Sequence, residues 1–159
     1  MTEIIPIARA RTGGPAAGRA GREQARSAPR RVYVLFTEIE ETLGAVRVGR
    51  RLADAIAGRV TVVHFRPVDF AAPIDSPSGR SPAETDAFRA RLEAEGCDVD
   101  VRVCLCRDAR RALPLVFEDH SLVVVGGRHR WWPTPADRWR RTLEAAGHLV
   151  VFVDGDACA

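Results

Sequence analysis

The 159-residue sequence predicts an open α/β fold, a parallel five-stranded sheet with helices on both faces, and three observations lead there. Apolar runs such as RVYVLF, RVTVVHF, SLVVVGG and HLVVFVD recur along the chain, and runs of this kind suit strands buried on both faces. Amphipathic stretches with helix-capping residues lie between them. Every connection between successive strands is long enough for a crossover, which favours parallel pairing.

Residues 8–30, ARARTGGPAAGRAGREQARSAPR, hold no hydrophobic period and little that could offset the entropy of ordering. Residues 1–30 are therefore expected to form a disordered leader, with one domain over residues 31–155. The first strand starts at Arg31. From Glu41 to Ala57, Leu43, Val46, Val48, Leu52, Ala53 and Ile56 fall mostly at three- and four-residue steps, an amphipathic helix that Gly58 is placed to close. The second strand covers 59–65. A proline-rich loop over 67–82 follows, and Ser81, Pro82 and Glu84 start a second helix that reaches Glu95 and stops at Gly96.

DVDVRVCLC (98–106) alternates charged and aliphatic side chains, so this strand has one exposed face and belongs near a sheet edge. Asp108 caps a third helix expected to run to about Asp119, with a kink at Pro114. The fourth strand, SLVVVGG, is the most apolar and is expected to be central. Thr134, Pro135 and Asp137 start a fourth helix, Gly147 ends it, and residues 148–154 form the last strand.

The net charge of +3 is unevenly placed: residues 1–31 carry +5, which leaves −2 on residues 32–159. A nucleic-acid footprint over the folded part is not expected. Cys97, Cys104, Cys106 and Cys158 lack the paired spacing of a zinc site or a disulfide framework, which points to a reducing cytoplasm. No apolar run approaches the ~20 residues that span a bilayer, and the N-terminus lacks the apolar segment of a secretory signal, so no membrane partner is expected.

With the elements in this order, VTVVHFRPV and CRDARRALPLVFEDHSLVVVGGRHR resemble the universal stress protein family, in which a strand, an acidic helix cap, a helix and a valine-rich strand run into a glycine. The resemblance covers residues 32–154. It implies a Rossmann-like fold of strand order 3-2-1-4-5, a homodimer through the fifth strand and, in many members, ATP held at the tips of strands one and four. The ATP-binding members have an aspartate where strand one ends; here Thr37 stands there, followed by Glu38. After strand four they show a glycine, two residues, a second glycine, nine residues, then glycine with serine or threonine. Gly126 matches the first position, His129 stands at the second, and Trp139 with Arg140 at the last pair. The resemblance thus implies an altered nucleotide site.

Gly126 and Gly127 end a strand and are followed by Arg128, His129 and Arg130, a pattern that either cradles an anion or makes a tight exit turn with solvated arginines. Thr37, Glu38 and Thr134 complete the candidate ligand set, although capping alone accounts for Thr134. The expected ligand is ATP, another adenine nucleotide or another phosphorylated small molecule. Trp131 and Trp132 either stack a base or sugar or cover the end of the sheet or the dimer seam. Trp139, one turn before Leu143, is expected to pack in the core.

His64 reads as a satisfied core histidine, and His148 as a contact to the neighbouring helix. His129 has no carboxylate or serine at a catalytic spacing. Cys104 and Cys106 share a strand face and read as small buried hydrophobes, so no metal site is expected. Nothing assembles a nucleophile, a base and an oxyanion hole, so no catalytic residue is assigned and the expected role is binding and regulation. Two alternatives stay open: a dimeric interaction module with an empty crevice, and a small nucleotide-hydrolysing enzyme that would use Glu38 or Glu40 to hold Mg²⁺.

Overall fold

The structure, a computed structural model, describes residues 31–68, 70–71, 82–128 and 131–154. The expected leader, the Ser81 cap, most of the proline-rich loop, and candidates His129 and Arg130 lie outside those residues. In chain order the elements are β1 (Arg31–Leu35), α1 (Ile39–Ala55), β2 (Arg59–Pro67), α2 (Pro82–Ala94), β3 (Asp100–Cys106), α3 (Ala109–Val116), β4 (Leu122–Gly127), α4 (Pro135–Ala145) and β5 (Leu149–Asp154). All neighbouring strands pair in parallel, in the order β3-β2-β1-β4-β5. This is the predicted fold. β4 is an inner strand as its apolar composition requires, but β1 holds the middle, and the charged β3 is at an edge as its alternation indicated.

The period of two along each strand divides the core into two layers. Val32, Val34, Val62 and Val124 pack beneath Leu43 and Val46 of α1 and Phe88 and Leu92 of α2. Tyr33, Leu35, Val63 and Val125 point the other way, against Ala112 and Leu113 of α3 and Ala136 and Leu143 of α4. Aromatic edges lock both layers: Phe36 meets Phe88 at 5.1 Å, and Tyr33 meets Phe117 at 5.0 Å, each near perpendicular.

Three helices end as a residue of positive φ turns the chain back and its successor's N–H returns to the last turn. Gly96 (φ 63°) and Gly147 (φ 86°) do this for α2 and α4, and the N–H groups of Cys97 and His148 bond Leu92 and Leu143. In α1 the positive φ falls on Ala57 (49°), one residue before the expected glycine, while the Gly58 N–H donates to Ala53 at 2.7 Å. Alanine in that region is sterically disfavoured. Ala57→Gly should therefore raise stability by about 0.5–1 kcal/mol, read as a higher urea midpoint at unchanged slope.

α3 is shorter than predicted. Asp108 caps it as expected, its carboxylate accepting the Arg110 N–H at 2.9 Å, but the helix stops at Val116, three residues before Asp119. Pro114 has no N–H to give the preceding turn. Phe117 then takes an extended conformation, and its ring is buried against Tyr33 and Phe65.

Candidate functional site

The order of the sheet reverses between β1 and β4, which opens a crevice at their carboxyl ends. The register pairs Leu35 with Val125, so Thr37 and Gly126, 89 residues apart in sequence, meet across it. The Thr37 hydroxyl lies 3.0 Å from the Gly126 carbonyl and 3.3 Å from Glu41 Oε2, and its one proton can serve either acceptor. The Thr37 N–H donates to Thr42 Oγ1 at 3.1 Å, and the Thr42 hydroxyl donates to the Glu38 carbonyl at 2.6 Å. These bonds tie the β1 exit to the first turn of α1.

Glu41 is the residue that sequence reasoning missed. Its carboxylate, only 13% exposed, sits at the crevice with Arg128 Nε 3.9 Å away. The readable signal was the four-residue step from Thr37 to Glu41, which puts both on one side of the first turn. Glu38 and Glu40, the carboxylates singled out from sequence, are exposed; Glu38 makes no side-chain cap, and Glu40 pairs with Arg91 at 3.1 Å. The crevice therefore presents a carboxylate facing a guanidinium.

The two glycines are held by packing. A Cβ on Gly126 would stand 2.1 Å from the Glu41 carbonyl oxygen, and one on Gly127 would stand 2.7 Å from both Ala136 Cβ and Phe152 Cζ. Gly126 thus lets α1 lie close on β4 from one face, and Gly127 does the same for α4 and Phe152 from the other. Thr134 spends its side chain on capping: its hydroxyl accepts the Asp137 N–H at 3.2 Å, while Asp137 accepts the Thr134 N–H at 2.9 Å.

Trp139, which stands where the family motif ends in glycine, stacks on Phe65 with ring centres 5.4 Å apart and planes 16° from parallel. It packs half-buried on the α3–α4 side of the sheet, beside Leu143. Trp131 and Trp132 are 100% and 82% exposed, so they neither cover the end of the sheet nor fill the crevice.

Next to the crevice, His64 stacks against Phe36 at 4.2 Å, and its Nδ1 is 3.4 Å from the Thr85 hydroxyl. Burial, reinforced by the nearby Arg66 guanidinium, lowers its pKa to about 4. Arg66 Nε and Nη2 are themselves buried without a hydrogen-bond partner. His148, buried at the opposite end of the sheet, contacts the Phe117 ring, and burial lowers its pKa against the pull of Asp119.

Burial pushes the Cys106 thiol up to about 11, with Cys104 and Asp108 adding to the effect, and raises Cys104 as well. Thiols held protonated are poor nucleophiles and poor metal ligands. Among the described residues no group of three or more His, Cys, Asp or Glu could hold a metal ion, and no helix is long and apolar enough to cross a membrane.

No protein-family model matches the sequence, and no curated protein matches it. Among solved structures, a universal stress protein from Archaeoglobus fulgidus superposes with a TM-score of 0.55 at 14% identity, covering 79% of this chain and 93% of its own. A protein of the universal stress protein family from Burkholderia pseudomallei gives 0.46 at 19% identity, covering 80% of this chain and 97% of its own. The strand order, the two helical layers and the superposition on the archaeal protein agree: the chain has the fold of the universal stress proteins.

Proposed function

We propose that this chain is a non-catalytic regulatory module of the universal stress protein type that acts in the cytoplasm as a homodimer joined through β5, its switch-point crevice occupied by its own side chains. The observation that carries the reading is the contrast between the two edges of the sheet. On β3, Asp100 and Arg102 stand two residues apart with 3.0 Å between Oδ2 and Nε, and such charges discourage further strand pairing. β5 reads LVVFVD, with no charge before Asp154; Leu149 is 66% exposed and Val150, Val151 and Phe152 are half-buried. An apolar open edge of this kind is stabilised when a second copy covers it.

The crevice supports the same reading. Close packing of α1, α4 and Phe152 accounts for Gly126 and Gly127 without any phosphate, and the Glu41 carboxylate would repel one. A second reading, a phosphorylated ligand or adenine nucleotide held by Arg128, is favoured by the half-exposed position of that side chain at the crevice.

The edge can be tested without emptying the core. Val153 is buried under α1, so its replacement would test folding instead. Leu149→Arg combined with Val151→Lys lays aliphatic stems over half-buried positions and places two charges in the seam. Sedimentation equilibrium should show a dimer for the natural chain and a folded monomer for the variant. A variant that remains as dimeric as the natural chain would remove β5 from the interface.

A further inference from the structure

An open groove of about 280 Å³ lies between α3 and α4, on the opposite face of the sheet from α1, with Asp108, Arg110, Pro135, Arg138, Trp139 and Thr142 in its lining. Its charge is unusual. Asp108 is occupied on both oxygens, by the Arg110 N–H at 2.9 Å and by Arg111 Nε at 3.6 Å. Arg110 and Arg138 have no carboxylate within ion-pair distance among the described residues, whereas Arg111 and Arg140 beside them are paired. Both unpaired arginines sit near the start of their helices, where a positive charge opposes the helix dipole, so neither is there to stabilise its helix. Together they leave the groove cationic.

The aromatic side is equally specific. Trp139 is fixed by its stack on Phe65, so its indole lines the groove in a set orientation and needs no ordering when a ligand arrives. The volume falls just below the range of about 300–1,000 Å³ usual for small-molecule sites, which suits one or two fused rings and excludes a dinucleotide.

We propose that this groove binds a planar aromatic acid, a compact ring system carrying one carboxylate or phosphate, with the ring against Trp139 and the acid group between Arg110 and Arg138. Guanidinium groups fit either acid, since both present oxygens to a planar fork of donors. The inference does not depend on the β5 dimer or on the state of the crevice.

Titration calorimetry on the full chain at low salt tests it with three probes: 2-naphthoate, 2-naphthyl phosphate and 2-naphthol. At least one acid should bind, and naphthol should bind at least tenfold more weakly. The tighter of the two acids identifies the natural class as carboxylate or phosphate. Arg110→Gln with Arg138→Gln should weaken the acid at least tenfold, while Arg141→Gln, which removes a charge from the same helix outside the groove, should leave it unchanged. All three side chains are on exposed helix surface, so circular dichroism should be that of the natural chain. The proposal is overturned if neither acid gives heat at millimolar concentration, if naphthol binds as tightly as the acids, or if the double variant binds as tightly as the natural chain.

Discussion

Replacing Gly126 with alanine should lower folding stability by about 3 kcal/mol or more with no ligand present, a large effect for one methyl group. The added Cβ would lie 2.1 Å from the Glu41 carbonyl oxygen and 2.6 Å from its carbon, both of them backbone atoms in the first turn of α1. Relief requires α1 to lift from β4, which would also open the bond from Thr37 to Gly126 and the packing of Ala45. Gly127→Ala meets Ala136 Cβ and the Phe152 ring at 2.7 Å; the half-buried ring can turn aside, whereas Ala136 yields only by a small shift of α4. That variant should lose about 1–2 kcal/mol. Urea midpoints of the two variants and the natural chain, measured without nucleotide, check the order. Glycines kept only to admit a phosphate would leave all three midpoints equal.

The second large effect is a pH dependence centred on His64. Its folded-state pKa of about 4 lies below the ordinary histidine value of 6.5, because burial and Arg66 both disfavour the imidazolium. Above pH 6.5 the ring is neutral in both folded and unfolded chains and its contribution is fully present. As pH falls from 6.5 towards 4, the unfolded chain takes up a proton that the folded one refuses, so stability is lost across that window, by about 3 kcal/mol at its lower end. Below the folded pKa the loss levels off. His64→Gln keeps a polar group opposite Thr85 and cannot titrate, so the difference in unfolding free energy between natural chain and variant should shrink by that amount from pH 7 to pH 4. A difference that stays constant across the window would show that His64 protonates freely in the folded state.

The parts of this fold that were legible in the sequence are those written in short-range chemistry. The valine runs, the Thr134–Asp137 capping box, and the glycines at 96 and 147 each state a local geometry that only one type of element satisfies. The alternation of Asp98, Asp100 and Arg102 with valines marked β3 as an edge before any pairing was known. Legibility failed where the competing forces were local but nearly balanced. Ala57 accepts a positive φ that Gly58 would have taken more cheaply, because the return of the Gly58 N–H to Ala53 fixes the turn one residue earlier. α3 ends early because burial of Phe117 outweighs another turn of a helix already weakened by Pro114.

The candidate site was harder to read because its meaning comes from register. Gly126 and Gly127 signal close approach, and in sequence a phosphate and a helix are equally good reasons for it. Only the pairing of β1 with β4 shows that α1 and α4 provide that approach from opposite faces. Glu41 looks like any solvated residue in an amphipathic helix until the same register brings it beside Arg128. The sequence placed Trp139 with Leu143 correctly, but its partner Phe65, 74 positions away, had no local sign.

Native mass spectrometry of the purified full chain tests the β5-joined dimer and the self-occupied crevice together. In volatile buffer containing excess ATP, the expected species has twice the 17.4 kDa chain mass and no nucleotide attached. A monomer carrying one ATP would contradict both.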